Sequence, residues 1–189
     1  MFSWHGNADL IVAIIKLFED RINAEHDINE VGVQAILLVE DSVRYYSTYL
    51  PELYKLILKQ SAEFLKETLN EQQRKGRKRS RPKILLATNL DDAMIFYEKY
   101  KNNLLGVISD VGFVRHKEDS PDKEQLDAGI ELVRYIRKDD PLMPVLLQSS
   151  QDAMSAVAQE LGGGFIRKWS KTLMIQLGED IKEEFGFGA

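Results

Sequence analysis

The chain has 189 residues, of which 44% are hydrophobic and 29% charged, as expected of a globular domain long enough to bury one substantial core. It contains no cysteine, which excludes a disulfide framework, a thiolate metal site and a cysteine nucleophile. The formal net charge of -5 argues against nucleic acid as a general partner.

The first predicted element is an amphipathic helix over residues 9–22, where apolar residues that include Ile11 and Ile15 recur about every 3.6 positions, opposite a polar face that includes Asp20. Residues 23–32 are expected to form a loop that ends in a glycine. We therefore divide the chain into an N-terminal helical extension, residues 1–33, and a main domain, residues 34–189.

The longest apolar run near the start of the chain, Leu10–Ile15, is far shorter than the roughly 20 residues that span a bilayer. No small-residue cleavage site follows it. We therefore expect no signal peptide and no membrane partner. The absence of cysteine fits a cytoplasmic location.

Apolar runs of strand length follow at wide intervals, and none of them alternates apolar with polar residues. The runs are Gln34–Val39, Ile84–Ala87, Leu104–Ile108, Val145–Leu147 and Phe165–Ile166. Strands of this kind are buried on both faces, which is typical of a parallel sheet flanked by helices. Helical patterns follow the runs at residues 43–73, 90–101, 126–138, 152–161 and 171–185. This repeated alternation predicts a doubly wound α/β domain.

The helix predicted after the first strand is unusually long. At about 1.5 Å per residue, a continuous helix over residues 43–73 would run to roughly 45 Å, beyond the height of a small sheet. Pro51 is expected to kink or split it, because proline removes a backbone donor. An apolar stripe continues beyond the proline and is expected to mark a partner surface, with a homodimer as one possibility. Its members are Leu53, Leu56, Ile57, Phe64, Leu65 and Leu69.

Acidic residues lie where two of the predicted strands end: Glu40 and Asp41 directly after the first, and Asp110 directly after the third. In a doubly wound sheet of order 2-1-3-4-5 these strands are neighbours, so the three carboxylates converge at one edge. At about 4 Å and an effective dielectric of about 20, each pair repels by about 4 kcal/mol. A hard cation such as Mg²⁺ would relieve this repulsion. The alternative is that each acid only caps the helix after it.

A hydroxyl and a cation are predicted at the same edge. Ser149 ends the fourth strand, and Lys168 follows the fifth. Phosphoryl transfer requires in-line positioning and positive charge around the transferred oxygens, which Mg²⁺ and Lys168 would supply. Asp110 is the best candidate nucleophile because the third strand is central, whereas Glu40 and Asp41 are adjacent in sequence and suit metal binding.

Several motifs together resemble the receiver domains of two-component response regulators, over roughly residues 34–185. They are VEDS (39–42), SDVG (109–112), DAGIELVRYIR (127–137), PVLLQSS (144–150) and FIRK (165–168). The resemblance implies a flavodoxin-like fold and a phospho-accepting signalling domain that is not an enzyme, beyond self-phosphorylation from small donors and slow self-dephosphorylation. The donor would be a histidine kinase, a phosphotransfer protein or a small phosphodonor.

The resemblance also implies roles for individual residues. Asp110 would be the phospho-acceptor and would hold Mg²⁺ together with Glu40, Asp41 and the backbone carbonyl of Gly112. Ser149 would supply the switch hydroxyl, Lys168 would pair with the phosphoryl group, and Phe165 would be the aromatic switch.

Two departures from the usual receiver pattern stand out. Trp169 lies where receivers usually have a proline, so the peptide geometry after Lys168 is expected to differ. A polar insert, residues 114–126, follows Asp110 closely. It is expected either to shield the site or contact a partner, or to be a solvated loop of no consequence.

Two other functions compete with the phosphorylation switch. A degenerate receiver would keep the fold only to bind other proteins, and a Mg²⁺ titration would distinguish it from a phosphorylation switch. A Mg²⁺-dependent phosphatase with an aspartate nucleophile would normally have a second acid two residues beyond, but Val111 and Gly112 follow Asp110.

The basic tract at residues 74–83 (RKGRKRSRPK) is interpreted as a solvated helix end, with an anionic protein partner and then nucleic acid as less favoured readings. The histidines, His5, His26 and His116, are expected in surface loops. The chain is expected to be either a stand-alone regulator or a domain of a larger protein, and the abrupt start (MFSWHGN) and end (GFGA) favour the second. The long helix and the insert also resemble receiver segments of large bacterial proteins that carry a phosphoenolpyruvate synthase-like domain. The sequence names neither the cognate kinase nor the output partner.

Overall fold

A parallel sheet of five strands forms the centre of the protein in a computed structural model that describes residues 2–3, 8–67 and 81–187, with residues 64–67 described by backbone alone. The strands are β1 (Ala35–Val39), β2 (Lys83–Ala87), β3 (Leu104–Asp110), β4 (Val145–Ser149) and β5 (Gly164–Arg167). Their order is β2-β1-β3-β4-β5, with every neighbouring pair parallel. The predicted doubly wound α/β fold is confirmed.

Helices cover both faces of this sheet. They are α1 (Ala8–Ala24), α2 (Val43–Glu67), α3 (Leu90–Tyr100), α4 (Ala128–Asp139), α5 (Met154–Glu160) and α6 (Leu173–Glu183). Successive residues of a strand point to opposite faces, so the sheet separates two apolar cores. Leu37 and Val107 belong to one core, and Ile36 and Ile108 to the other. Every residue of β1 and β4 is buried, which explains why their sequences show no polar alternation.

Helix α2 runs without a break through Pro51, so the predicted split is wrong. Leu50, Leu53 and Ile57, on either side of the proline, have no exposed surface, and this packing holds the helix together. The apolar stripe predicted on this helix is therefore covered in its first part. Of the remaining stripe residues, Leu56 packs against the same core, while the side chains of Phe64 and Leu65 and the whole of Leu69 lie outside the described structure.

Helix α1 packs against α2 and against β2, the edge strand of the sheet. Its buried residues include Asp20, which was predicted to lie on the polar face but has no exposed surface. Arg81 donates from both terminal nitrogens to Asp20, at 2.8 Å each, and the Tyr54 hydroxyl and the Ile84 amide donate at 2.9 and 3.0 Å. This buried carboxylate joins α1 to α2 and to the start of β2.

The large apolar residues of α1 lie mostly on its outer side. Ile11, Ile15, Phe18 and Ile22 are each at least half exposed. The sequence pattern therefore identified an amphipathic helix correctly but not the face that packs against the domain.

Residues 25–30 form a single π-helical segment that continues α1, so the predicted loop over residues 23–32 is wrong for most of its length. Ile28 anchors this segment because it is completely buried in the core. His26 therefore lies in a helical segment and not in a loop, and Gly32 then turns the chain with a φ of 78°.

The basic tract lies partly outside the described residues, which omit 74–80. Its last two cations are used inside the protein: Arg81 pairs with Asp20, and Lys83 Nζ lies 2.5 Å from Asp27 Oδ2. The interpretation of a solvated segment is therefore wrong for Arg81 and Lys83. Among the described helices, none is long and apolar enough to cross a membrane.

Candidate functional site

Three carboxylates meet at the carboxyl ends of β1 and β3. Glu40 and Asp41 directly follow β1, and Asp110 is the last residue of β3. Each of them offers a carboxylate oxygen, and these three oxygens lie within 4.8 Å of one another. The convergence predicted from strand order is therefore present in the structure.

Lys168 is the counter-charge of this cluster. Its Nζ lies 2.5 Å from Asp110 Oδ2 and 2.6 Å from Glu40 Oε2, and its side chain is only 10% exposed. The ammonium also lies 4.4 Å from the centroid of the Tyr45 ring, where the aromatic face favours a cation. Lys168 is thus held between the two strand ends and the first turn of α2.

The negative charge of the cluster exceeds what Lys168 neutralises. Burial, followed by the charge of Asp110, raises the pKa of Glu40 to about 8. Burial is also the main reason why the pKa of Asp41 is raised to about 6. The pKa of Asp110 is raised as well, because burial outweighs the opposing effects of Lys168 and nearby backbone amides. Carboxylates in this state would be stabilised in their charged form by a cation, and three carboxylate oxygens suit Mg²⁺.

Ser149 and Gly112 border the same cleft, which has a volume of about 370 Å³ and also includes Asp110 and Lys168. The Ser149 hydroxyl accepts a hydrogen bond from the Gln151 amide at 3.1 Å, and the Ser149 backbone carbonyl accepts one from the Lys168 amide at 2.9 Å. Phe165 is not among the residues that line this cleft. It lies beside β4, opposite Leu147, and packs half-buried against the core.

The insert after Asp110 is bonded directly to the site. The Val114 amide donates to Asp41 Oδ2 at 3.1 Å, which holds this carboxylate in place. Phe113 and Gln125 form an antiparallel bridge with hydrogen bonds of 3.1 and 3.0 Å, so the two ends of the insert are held together. The interpretation of this segment as a solvated loop of no consequence is therefore wrong.

Trp169 has a φ of 63°, in the left-handed region that non-glycine residues rarely adopt. The backbone after Lys168 thus departs from ordinary geometry, as the replacement of a proline predicted. The indole ring packs edge-on against Tyr45, with ring centroids 5.0 Å apart, and 58% of the residue remains exposed. This contact covers one side of the cleft beside Lys168.

Two residues of the cleft were missed by sequence reasoning. Tyr45 lies under Lys168, and its buried hydroxyl makes no hydrogen bond with the described residues. Glu124, at the end of the insert, lies directly over Gly112. Tyr45 was detectable from its place in the first turn of the helix that follows Asp41, whereas a glutamate within a polar insert carries no such signal.

Comparison with solved structures identifies the fold. The chain is similar to a response regulator receiver domain protein from Clostridium thermocellum, with a TM-score of 0.52 and 18% identity over 82% of this chain and 95% of that one. A CheY-like receiver domain protein from Methanospirillum hungatei JF-1 gives a TM-score of 0.47 and 18% identity, over 82% of this chain and 96% of that one.

The response regulator protein TrrA from Thermotoga maritima, solved in complex with Mg²⁺-BeF, gives a TM-score of 0.45 and 19% identity, over 80% of this chain and 98% of that one. No protein-family model and no curated protein matches the sequence. The chain has the fold of a response-regulator receiver domain.

Proposed function

We propose that this receiver-fold chain is a phosphorylation switch in which Asp110 accepts the phosphoryl group. The observation that carries the proposal is the position of Lys168, whose Nζ bridges Asp110 and Glu40 at 2.5 and 2.6 Å beside a cleft. An ammonium at this position would pair with the oxygens of a phosphoryl group on Asp110 and stabilise the charge of the transfer.

The transfer forms one bond and breaks one. A carboxylate oxygen of Asp110 attacks phosphorus, while the bond from phosphorus to the donor breaks, and the bonding electrons leave with the donor. The donor atom is the imidazole nitrogen of a phosphohistidine, which then takes a proton from solvent, or the acyl oxygen of a small phosphodonor, which leaves as a carboxylate. Lys168 remains protonated throughout, because the carboxylates of Glu40 and Asp110 raise its pKa even though burial opposes this.

Mg²⁺ would be held by Glu40, Asp41, Asp110 and the backbone carbonyl of Gly112. When bound, it would neutralise charge on the phosphoryl oxygens and on the carboxylates that surround them. The hydrogen bond from Val114 orients Asp41 for this role. Glu40 is only 1% exposed, so bulk water does not compete with a bound cation for its carboxylate.

The response to phosphorylation would begin at Ser149. Its hydroxyl would rotate to donate to a phosphoryl oxygen, a bond to a charged group worth about 1.5 to 3 kcal/mol. This corresponds to a factor of roughly ten to a hundred in a two-state equilibrium. Phe165 would turn toward the space that Ser149 leaves, changing the surface beside α5 and β5. A histidine kinase or a phosphotransfer protein would supply the phosphoryl group, and a partner or an output domain would read the changed surface.

Incubation with acetyl phosphate and Mg²⁺ tests the acceptor. We expect intact-mass spectrometry to show the addition of one phosphoryl group to the wild type and none to Asp110→Asn. Asp122→Asn, which changes an exposed aspartate of the insert, is the matched control and should react like the wild type. No modification of the wild type, or equal modification of Asp110→Asn, would sink the proposal.

A Mg²⁺ titration and an assay of phosphate release separate the switch from a degenerate receiver and from an enzyme. A degenerate receiver would show neither phosphorylation nor saturable Mg²⁺ binding. A phosphatase would turn over phosphodonor continuously, whereas we expect no catalytic activity beyond self-phosphorylation and slow self-dephosphorylation. Release of phosphate at many turnovers per minute would favour the enzyme.

A further inference from the structure

Glu124 occupies the space that a side chain at position 112 would fill. A Cβ built on Gly112 would lie 2.5 Å from Glu124 Oε1, closer than real Cβ contacts, and 3.5 Å from its Cδ, which is an ordinary contact distance. The glycine therefore lets a carboxylate from the insert approach the backbone of the segment that follows Asp110. Glu124 thus lines the same cleft as Asp110, Ser149 and Lys168.

The backbone around Glu124 holds it at this position. Gln125, the next residue, exchanges two backbone hydrogen bonds with Phe113, at 3.1 and 3.0 Å, and its carbonyl accepts a third from Ala128 at 3.3 Å. On the other side, the Glu124 amide donates to the carbonyl of Pro121 at 3.2 Å. These backbone hydrogen bonds therefore fix the position of residue 124 beside the cleft.

The carboxylate of Glu124 has no cationic partner in the part of the chain that the structure describes. Within the described residues its side chain makes no hydrogen bond and no ion pair. Its charge instead faces the cleft that Asp110 and Lys168 also line. A fourth carboxylate thus adds to a cluster for which Lys168 is the counter-charge.

We propose that Glu124 is a specificity-determining residue of the site, whose charge strengthens Mg²⁺ binding and slows transfer from small anionic phosphodonors. The proposal rests on the phospho-acceptor function of Asp110. Both effects follow from one sign of charge: a carboxylate beside the triad attracts a divalent cation and repels a dianionic phosphoryl compound that enters the same cleft. Glu124 lies outside the group of three acids that can jointly hold an ion, so it would act across water on the bound cation and not as a direct ligand.

The two effects have opposite consequences for activity, and this gives the test. Glu124→Gln removes the charge and keeps the shape. We expect its dissociation constant for Mg²⁺, measured by isothermal titration calorimetry, to rise about three- to tenfold. At saturating Mg²⁺ we expect its rate of phosphorylation by acetyl phosphate, measured by intact mass, to rise by a similar factor. Both differences should shrink at about 1 M salt, where the screening length is about 3 Å.

Two further variants serve as controls. Glu124→Asp keeps the charge and should stay within about twofold of the wild type in both measurements. Glu118→Gln removes an exposed charge from the same insert, outside the lining of the cleft, and should behave like the wild type.

The outcomes separate this inference from the function on which it rests. If the wild type neither binds Mg²⁺ nor accepts a phosphoryl group, the proposed function fails and this inference with it. If the wild type does both and Glu124→Gln matches Glu118→Gln, the role of Glu124 is overturned and the proposed function stands. If Glu124→Gln weakens Mg²⁺ binding and also slows phosphorylation at saturating Mg²⁺, Glu124 supports the shape of the insert, and the charge account is overturned.

Discussion

Raising the pH from about 6 to about 8 in the absence of divalent cations should destabilise the folded protein, and the cause lies at Glu40. Burial raises the pKa of this carboxyl from 4.5 to about 8. The folded protein therefore keeps a proton on Glu40 over this range, whereas the unfolded chain has lost it. Since the folded state binds more protons, the free energy of unfolding falls as pH rises. The stability that protonation provides is complete below about pH 4.5 and is lost by about pH 8.

The size of the effect follows from the proton difference. One proton held by the folded state alone changes the free energy of unfolding by about 1.4 kcal/mol per pH unit. Glu40 would therefore account for at most about 3 kcal/mol between pH 6 and pH 8. The contributions of Asp41 and Asp180, whose pKa values burial raises to about 6, are mostly exhausted below this range. Lys168 does not oppose the trend, because its raised pKa lies above the range.

Urea unfolding at several pH values, with a chelator and then with excess Mg²⁺, measures the effect. We expect the free energy of unfolding to fall across the range with chelator and to be restored by Mg²⁺, because the cation binds the ionised carboxylates of the folded state. Glu40→Gln cannot ionise and should show a flatter pH profile. Stability of the wild type that is constant or rises between pH 6 and pH 8, or an identical slope in Glu40→Gln, would refute the reasoning.

Three substitutions extend the test to other parts of the structure. Asp20→Asn should lower the free energy of unfolding by about 3 to 5 kcal/mol in urea unfolding, because it leaves the guanidinium of Arg81 partly buried without its charged partner. Gly129→Ala should destabilise the protein and weaken Mg²⁺ binding in calorimetry, because the new Cβ would lie 2.1 Å from the Asp110 carbonyl oxygen. Helix propensity alone predicts the opposite, a rise of up to about 1 kcal/mol in the free energy of unfolding, and such a rise would contradict the close approach. Ser149→Ala should still accept a phosphoryl group by intact mass but show a smaller accompanying change in tryptophan fluorescence than the wild type. An undiminished change would exclude Ser149 from the switch.

The convergence of Glu40, Asp41 and Asp110 was predictable because it depends on strand order alone. Apolar runs without alternation predict buried parallel strands, and in a parallel sheet each residue that follows a strand lies at the same edge. Ser149 and Lys168 follow from the same rule. Side-chain contacts across the edge do not alter this placement, so the sequence alone was sufficient to locate these five side chains.

The position of Asp20 was not predictable by the same reasoning. Helical periodicity assigns charged residues to the solvent face, and it placed Asp20 opposite Ile11 and Ile15. In the structure Asp20 is buried and the two isoleucines are half exposed. The arrangement depends on Arg81, which lies 61 positions later in the sequence and completes the ion pair. A buried charge is tolerated only when its partner is present, and no local pattern reports a partner so distant.

The insert is connected to the site through backbone hydrogen bonds, which the amino-acid sequence does not reveal. Its first residue, Val114, donates an amide to Asp41, and its last turn before α4 holds Glu124 over Gly112. The Gly129 amide in α4 donates to the carbonyl of Val111 at 2.8 Å, so the start of the helix is tied to the residue after Asp110. A partner that moved the insert would therefore displace a carboxylate of the site at one end and remove a negative charge from the cleft at the other. By the same connections, a cation bound by Asp41 and Asp110 would favour the present position of the insert, because coupling between two sites is reciprocal.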